Sequence, residues 1–339
     1  MMETDSKPST LAQPPSLLSE IVEWSRQFPA EFARCWRQLP NKAVFFPLFV
    51  AWLLLFQFLG NATFGYIDTA SLLHWMTNAY GNSMNGSEDG HGMLIPPVVV
   101  ALLWWKRNQL LALRHRLWWP ALILLIVALA LHITGYLVQQ PRISIVALFV
   151  GIYALMGLAW GPAWLRTTFF PFFLFIFCVP ITSIGEKVTV PLRQLVTHIV
   201  ALISNNFLGM DVHGEGTQLF NSTHTYSYEV AAACSGLRSL IAIFVITIIY
   251  GFMTFDKNWK RALIISSALP LAILGNVLRL MGIIVSAEIW GMSAGNFVHE
   301  NWFFSLLPYV PAIVGVMALG HWLREPEPQT TLPLNPKPV

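Results

Sequence analysis

The sequence predicts an all-α polytopic membrane protein with about eight transmembrane helices, on the basis of its composition and two patterns. Of its 339 residues, 55% are hydrophobic and only 11% are charged, unlike a soluble domain of this size. The apolar residues form runs close to the roughly 20 residues that cross a hydrocarbon core. Lysine and arginine collect in alternate connections, which is the mark of cytoplasmic loops.

The predicted spans are apolar runs separated by Pro, Gly and charged residues. They lie at 43–60, 92–105, 117–138, 143–161, 167–183, 236–255, 262–284 and 302–321. Pro96, Pro97 and Pro171 remove backbone donors, so we expect kinks in the second and fifth spans. The spans divide the chain into a cytoplasmic N-terminal segment (1–42), a transmembrane domain (43–321) and a proline-rich, disordered cytoplasmic tail (322–339).

The orientation follows from the basic residues. With both termini in the cytoplasm, 15 of the 20 Lys and Arg residues lie on the cytoplasmic face. The other five are Arg142, Lys187, Arg193, Arg238 and Arg279. The net charge of +3 is therefore a topology signal, and we expect no nucleic-acid partner. Residues 1–40 are polar and lack a cleavage site, so the first span is expected to act as its own insertion signal.

Several stretches outside the spans have structure of their own. The mixture of aromatic and basic residues in 17–37 predicts an amphipathic helix on the cytoplasmic leaflet. On the outer face, 61–91 and 184–233 are too long and polar to be turns, and a smaller loop covers 285–301. The second of these opens with an amphipathic pattern at 186–209, and the alternation that follows predicts a short hairpin.

The three cysteines fall in three different places, so none is expected to pair with another. Cys35 is cytoplasmic, Cys178 lies inside the fifth span, and Cys234 lies at the outer surface. A lone thiol at a helix start is more often structural than reactive. In "CSGLR", however, the helix N-terminus and the guanidinium of Arg238 one turn later both lower the pKa of a thiol at Cys234.

Further polar residues converge on the same side of the membrane. Asn276 and Arg279 lie in the seventh span, and a charge there is costly unless it faces a polar partner or water, or reaches the outer headgroups. The next outer loop supplies His299. A cysteine that attacks a peptide carbonyl needs a thiolate, a donor for the oxyanion and a proton donor for the leaving amine. Cys234, Arg279 or Arg238, and His299 match these three needs.

At these residues the chain resembles the exosortases, polytopic membrane transpeptidases of the exosortase and archaeosortase superfamily. The resemblance rests on "AACSGLRSL" around Cys234, on the N-x-x-R spacing of Asn276 and Arg279, and on His299. The segment "HGMLIPP" from His91 is similar to an early H-G-x-L segment of that family. The resemblance covers roughly residues 43–321.

The resemblance implies a cysteine enzyme without metal or cofactor in a bacterial inner membrane, with its active site on the extracytoplasmic side. Its partners would be membrane lipid, exported proteins and an acceptor nucleophile of unknown identity, in a cell that makes exopolysaccharide. The sorting signal would be a C-terminal Pro-Glu-Pro motif followed by a transmembrane helix and a basic end. The enzyme would cleave there through a thioester. Cys234 would be the nucleophile with Arg279 and His299 as partners, supported by Arg238, Asn276 and Ser235.

Other functions would use the same residues differently. A transporter or channel component for an exopolysaccharide or lipid-linked substrate would bind that substrate through Arg238 and Arg279, and Cys234 would be incidental. A zinc hydrolase would need an H-E-x-x-H helix, which the sequence lacks. A thiol-disulfide oxidoreductase would need C-x-x-C, and a serine protease G-x-S-x-G; neither is present around Cys234 or Ser235.

Overall fold

A computed structural model describes residues 17–62, 69–81, 88–180, 182–229, 237–307 and 309–324. Helices make up most of these residues, and the predicted all-α membrane class is confirmed. The chain divides into two compact units. The first unit comprises Met1–Gly60 and Val99–Phe173, and the second comprises Asn61–Val98 and Leu174–Val339.

The described helices include segments that overlap the predicted apolar runs and further helices between them. In chain order they are α1 Leu17–Gln38, α2 Lys42–Leu59, α3 Leu72–Gly81, α4 Ile95–Trp105, α5 Arg107–Leu111, α6 Ala121–Leu137, α7 Pro141–Trp160, α8 Pro162–Phe173, α9 Thr182–Phe207, α10 Leu237–Thr254, α11 Asn258–Ser266, α12 Ala268–Trp290, α13 Met292–Glu300, α14 Trp302–Ser305 and α15 Tyr309–Leu323. Two 3-10 helices lie at Glu88–Met93 and Leu174–Cys178. Helix α1 therefore confirms the helix predicted at 17–37, while its position on the membrane surface stays a prediction.

Three helical segments of the described chain are long and apolar enough to cross a membrane: Lys42–Leu59, Pro141–Trp160 and the joined Asn258–Trp290. Shorter apolar helices are Ala121–Leu137, Pro162–Cys178, Ser239–Thr254 and Tyr309–Leu323. These seven segments correspond to seven of the predicted spans. The remaining predicted span, 92–105, contains α4, whose 11 residues extend only about 16 Å. The count of eight spans stays a prediction.

Helix α7 forms the centre of the first unit. Of the 18-residue apolar window in α7, 67% is buried inside the protein, compared with 17% of the window in α2, so protein surrounds most of α7 and leaves most of α2 exposed. Trp52 of α2 packs directly over Gly151, where a Cβ atom would lie 2.1 Å from the indole, and its Nε1 donates to the Leu148 carbonyl at 3.0 Å. This close approach is possible only because residue 151 has no side chain.

In the second unit, a small antiparallel sheet and α9 pack against α12. The strands are β1 Val212–Glu215, β2 Gln218–Asn221 and β3 Ser227–Glu229, in the order β1-β2-β3. Their inner face and the two helices share one apolar core, which comprises Val196, Val200, Val212, Leu219, Tyr226, Tyr228, Val277, Leu280, Ile283, Ile284 and Ala287. The amphipathic helix predicted at 186–209 is thus confirmed as α9, and its apolar face covers the sheet and α12.

Two sequence predictions about local structure need correction. The hairpin predicted after α9 is a three-stranded sheet, because Ser227–Glu229 adds a further strand in register with β2, with Leu219 opposite Tyr228. No kink arises at Pro96 or Pro97: α4 begins at Ile95, and a first-turn residue has no intrahelical acceptor to lose. Pro171 does mark a change, since α8 ends two residues later and a 3-10 helix follows.

The stretches that the sequence predicts outside the spans are more helical than expected. The polar stretch 61–91 contains α3 and the start of the 3-10 helix Glu88–Met93. Helix α12 continues beyond the predicted end of its span to Trp290, and the predicted loop 285–301 contains α13. Hydropathy falls where contact with lipid ends, but a helix continues as long as its exposed turns pack on neighbouring protein.

Candidate functional site

The candidate site is built on a helical hairpin formed by α12 and α13. Gly291 separates the two helices. Its φ is 84°, a backbone conformation that residues with a Cβ atom rarely adopt. Helix α13 turns back and packs along α12. The hairpin therefore brings residues far apart in sequence next to each other on the second unit.

Arg279 and His299 meet across this hairpin. Nη2 of Arg279 donates to the backbone carbonyl of His299 at 3.4 Å, and both side chains are half-buried. His299 lies in the last turn of α13 and not, as predicted, in a loop. The guanidinium thus binds the segment that carries the imidazole.

The surroundings of His299 favour a neutral imidazole. Burial, and then the positive charge of Arg279, lower the pKa of His299 below its usual value, while the neighbouring Glu300 carboxylate raises it. A neutral imidazole can accept a proton from a thiol or hydroxyl and return it to a leaving group. His299 is therefore suited to begin a reaction as a base.

Asn276 precedes Arg279 by three residues on α12, so the two side chains share a face of the helix. Asn276 is only 3% exposed, and its Nδ2 has no hydrogen-bond acceptor among the described residues. A buried amide donor without an acceptor is costly unless another group supplies one. Asn276 is thus a candidate donor to a ligand or to a neighbouring part of the chain.

Tyr228 connects the sheet to α13. Its ring lies beside the His299 ring, with centroids 6.3 Å apart and planes 28° from parallel, and its hydroxyl donates to the Met292 carbonyl at 3.3 Å. Burial raises the pKa of Tyr228, so the hydroxyl stays protonated as a donor. The tyrosine therefore restrains the imidazole from the side of β3.

Gly295 makes this arrangement possible. A Cβ atom at position 295 would lie 2.1 Å from the Tyr228 hydroxyl and 2.8 Å from the Cβ of Ala287. The missing side chain lets α13 approach both the sheet and α12. Sequence reasoning found neither Gly295 nor the role of Tyr228, whose only signal was its place in the alternating pattern of the sheet.

The predicted nucleophile lies outside the described residues. Cys234 and Ser235 belong to residues 230–236, and Arg238 is part of α10 but its side chain is likewise not described. By sequence, Cys234 follows the last residue of β3, Glu229, by five positions and precedes the first residue of α10 by three. The meeting of Cys234 with Arg279 and His299 stays a prediction.

The 3-10 helix Glu88–Met93, which contains His91 and Gly92 of the H-G-x-L segment, packs against α10. Sγ of Cys178 donates to the Gly92 carbonyl at 3.5 Å, and the Tyr80 hydroxyl donates to the Cys178 carbonyl. A Cβ atom on Gly92 would lie 2.6 Å from the Tyr80 ring. Cys178 is fully buried, so its thiol joins the 3-10 helix Leu174–Cys178 to Gly92 rather than facing a substrate.

A serine, a histidine and an aspartate also meet beside the three-stranded sheet. Nε2 of His213 lies 2.8 Å from Oγ of Ser222 and 3.1 Å from Oδ1 of Asp211. A catalytic relay needs the serine and the carboxylate on opposite ring nitrogens. Because both groups approach the same nitrogen at an exposed position, this cluster does not have the geometry of a catalytic triad.

A comparison with family models gives one relevant finding. A model described as transmembrane exosortase matches residues 75–314, more than two thirds of the chain, including positions 91, 234, 279 and 299. No curated protein and no solved structure matches the chain.

Proposed function

Because the chain belongs to the transmembrane exosortase family, we propose that it is a membrane-embedded cysteine transpeptidase that processes exported proteins. Its substrates carry a C-terminal sorting signal, a Pro-Glu-Pro type motif followed by a transmembrane helix and a basic end. The enzyme lies in a bacterial inner membrane with both termini in the cytoplasm and its site facing outward. The basic residues of the alternate connections support this orientation.

The observation that carries the proposal is the contact between Arg279 and the His299 carbonyl, at 3.4 Å. It joins two chemically necessary side chains from separate helices, beside the strand that leads toward Cys234. The stacking of Tyr228 on His299 links that strand to the imidazole. A transporter that used Arg279 as a substrate charge would have no need for a restrained imidazole next to it.

The proposed reaction begins when neutral His299 takes the proton of the Cys234 thiol. The sulfur attacks the scissile carbonyl, and the negative charge that develops on the carbonyl oxygen is stabilised by Arg279, with Arg238 and Asn276 as further donors and Ser235 supporting the turn. The C–N bond then breaks, and His299 gives its proton to the departing amine. The acyl group remains on Cys234 as a thioester.

An acceptor nucleophile resolves the thioester. Its attack on the carbonyl carbon releases the Cys234 sulfur, which regains a proton from the acceptor through His299. An amine acceptor gives transpeptidation, and water gives hydrolysis. In both cases the substrate's transmembrane helix has already left with the amine.

The direct test is cleavage of a defined substrate. The protein is co-expressed with an exported reporter that ends in a Pro-Glu-Pro motif, an apolar helix and several arginines, and the reporter's size and membrane attachment are measured. We expect a shortened reporter only when both the enzyme and the motif are present. A reporter that stays full-length although enzyme and reporter share the membrane, or one cut equally without the motif, would contradict the proposal.

Gly295→Ala is expected to lower cleavage strongly. The new methyl group would overlap the Tyr228 hydroxyl, and the relaxation needed typically costs about 1–3 kcal/mol of stability. Displacing His299 by about 1 Å would lower the rate by up to roughly 100-fold. Cleavage rate and thermal unfolding in detergent measure the two effects.

Gly282→Ala is the matched control on α12, because a Cβ atom there meets nothing within 4 Å. It should leave cleavage unchanged and should not lower the unfolding temperature, since alanine favours a helix interior over glycine. Full activity in Gly295→Ala would show that the packing of Tyr228 against α13 does not position the site.

A further inference from the structure

The first unit contains a groove that the proposed chemistry does not use. It lies between α1 and the helices α4, α5 and α8, and its volume is about 240 Å³. Its lining is almost entirely apolar and includes Trp36, Val100, Leu103 and Trp164. We propose that this groove binds an anionic phospholipid, which in the predicted orientation comes from the cytoplasmic leaflet.

The size and lining of the groove suit a hydrocarbon chain. A dry apolar cavity of about 150 Å³ already takes up a molecule as large as benzene. The groove is larger, and lipid tails are the hydrocarbon available to a membrane protein at this depth. A segment of one acyl chain therefore fits the apolar part, and each buried methylene contributes favourably to binding.

Two tryptophans, Trp104 and Trp164, line the groove. Nε1 of Trp104 and Nε1 of Trp164 are buried, and neither has an acceptor among the described residues. Trp164 as a whole is only 6% exposed. The rings themselves suit a lipid, because tryptophan is enriched at the level of the lipid headgroups, where its apolar ring packs beside the acyl chains.

A positively charged cluster lies at the α1–α5 end of the groove. Arg107, which also lines the groove, donates from Nη2 and Nε to Oε1 of Glu31 at 2.6 and 3.0 Å, and Nη2 of Arg34 lies 3.3 Å from the same oxygen. One carboxylate cannot neutralise two guanidiniums, so the cluster keeps a net positive charge. Arg34 is half-exposed and also contacts Asn108 at 3.2 Å. A lipid phosphate complements this charge.

The chain's own N-terminal segment is a poor alternative occupant. Residues 1–16 contain one leucine and no aromatic side chain, with three prolines and several charged or polar residues. Such a segment has little apolar surface to bury in an aromatic groove. A diacyl lipid provides both the hydrocarbon and the negative charge.

The test measures lipid binding to the purified full-length protein. Native mass spectrometry in dodecyl maltoside compares phosphatidylglycerol with phosphatidylcholine of the same acyl chains. We expect one phosphatidylglycerol to bind about fivefold more tightly than phosphatidylcholine. Arg34→Gln, at a half-exposed side chain, should remove most of this preference. Equal binding of the two lipids by the unmodified protein would overturn the proposal.

A second test measures lipid binding after the groove has been filled by a larger side chain. Val100 is 64% exposed, so the Val100→Trp side chain would enter the groove rather than the packed interior, and we expect at least tenfold weaker binding of phosphatidylglycerol. Ile123→Trp is the control, because Ile123 is 68% exposed on α6 and does not line the groove. Equal loss in both variants, or none in Val100→Trp, would place the lipid elsewhere and overturn the assignment.

Cys35 reports on the groove independently, since its side chain also lines it. Phosphatidylglycerol should slow the alkylation of Cys35 by N-ethylmaleimide, as followed by peptide mass mapping, and phosphatidylcholine should slow it less. Protection of Cys35 in the lipid-free protein would instead assign the groove to the N-terminal segment. An alkylation rate that neither lipid changes would contradict the proposal.

Discussion

Cys234→Ala is expected to abolish cleavage of the sorting-signal reporter. Without the thiol no thioester can form, and loss of the nucleophile in enzymes of this kind typically lowers kcat by roughly 10⁴-fold or more. Cys234→Ser should lose nearly as much, because a hydroxyl stays protonated where a thiol ionises. The measurement is the fraction of reporter processed at matched enzyme level in the membrane.

The other two cysteines are the controls for this prediction. Cys35→Ser and Cys178→Ser should process the reporter normally. At Cys178 the serine hydroxyl can still donate to the Gly92 carbonyl, so the buried contact between residues 178 and 92 is kept. Loss of processing in Cys178→Ser together with normal processing in Cys234→Ser would refute the assignment of the nucleophile.

Arg279→Lys is expected to lower kcat by about 10²–10³-fold, as removal of an oxyanion donor does. A guanidinium presents several donors in a plane and can contact the His299 carbonyl and a developing oxyanion at once. The lysine ammonium keeps the charge but is a point donor on a flexible stem. The substitution therefore tests geometry rather than charge, and the readout is the rate of reporter cleavage under single-turnover conditions.

Arg142→Lys is a suitable comparison, because Arg142 is another outward basic residue in the predicted topology but lies in the first unit, at the start of α7. It should retain full activity. If Arg279→Lys cleaved at the normal rate, positive charge alone would account for the role of residue 279. The oxyanion assignment would then pass to another donor.

Most of the helices could be predicted from sequence. The runs at 43–60 and 143–161 differ from α2 and α7 by only one or two residues at each end. In lipid every backbone polar group needs a partner within the protein, so a long apolar run has few alternatives to a helix. The amphipathic pattern at 186–209 also predicted its helix correctly. One face of α9 is buried against the protein, and that burial is what an amphipathic pattern reports.

The errors concern elements whose structure depends on their neighbours. Met292–Glu300 has small and polar residues and low hydropathy, and it becomes α13 because Gly291 turns the chain and Gly295 lets it pack on α12 and Tyr228. The third strand pairs only because β2 offers its free edge. Neither condition is visible in a window of a few residues.

The sequence by itself determined the membrane class, most of the helices and the kinds of side chain available for catalysis, since hydropathy and charge act locally along the chain. Only the tertiary structure decided that Arg279 contacts the His299 carbonyl, that Tyr228 lies against the imidazole, and that α1 and α4 enclose an apolar groove. These contacts join positions at least 20 residues apart. They arise from the close packing of whole helices and strands, which no short stretch of sequence specifies.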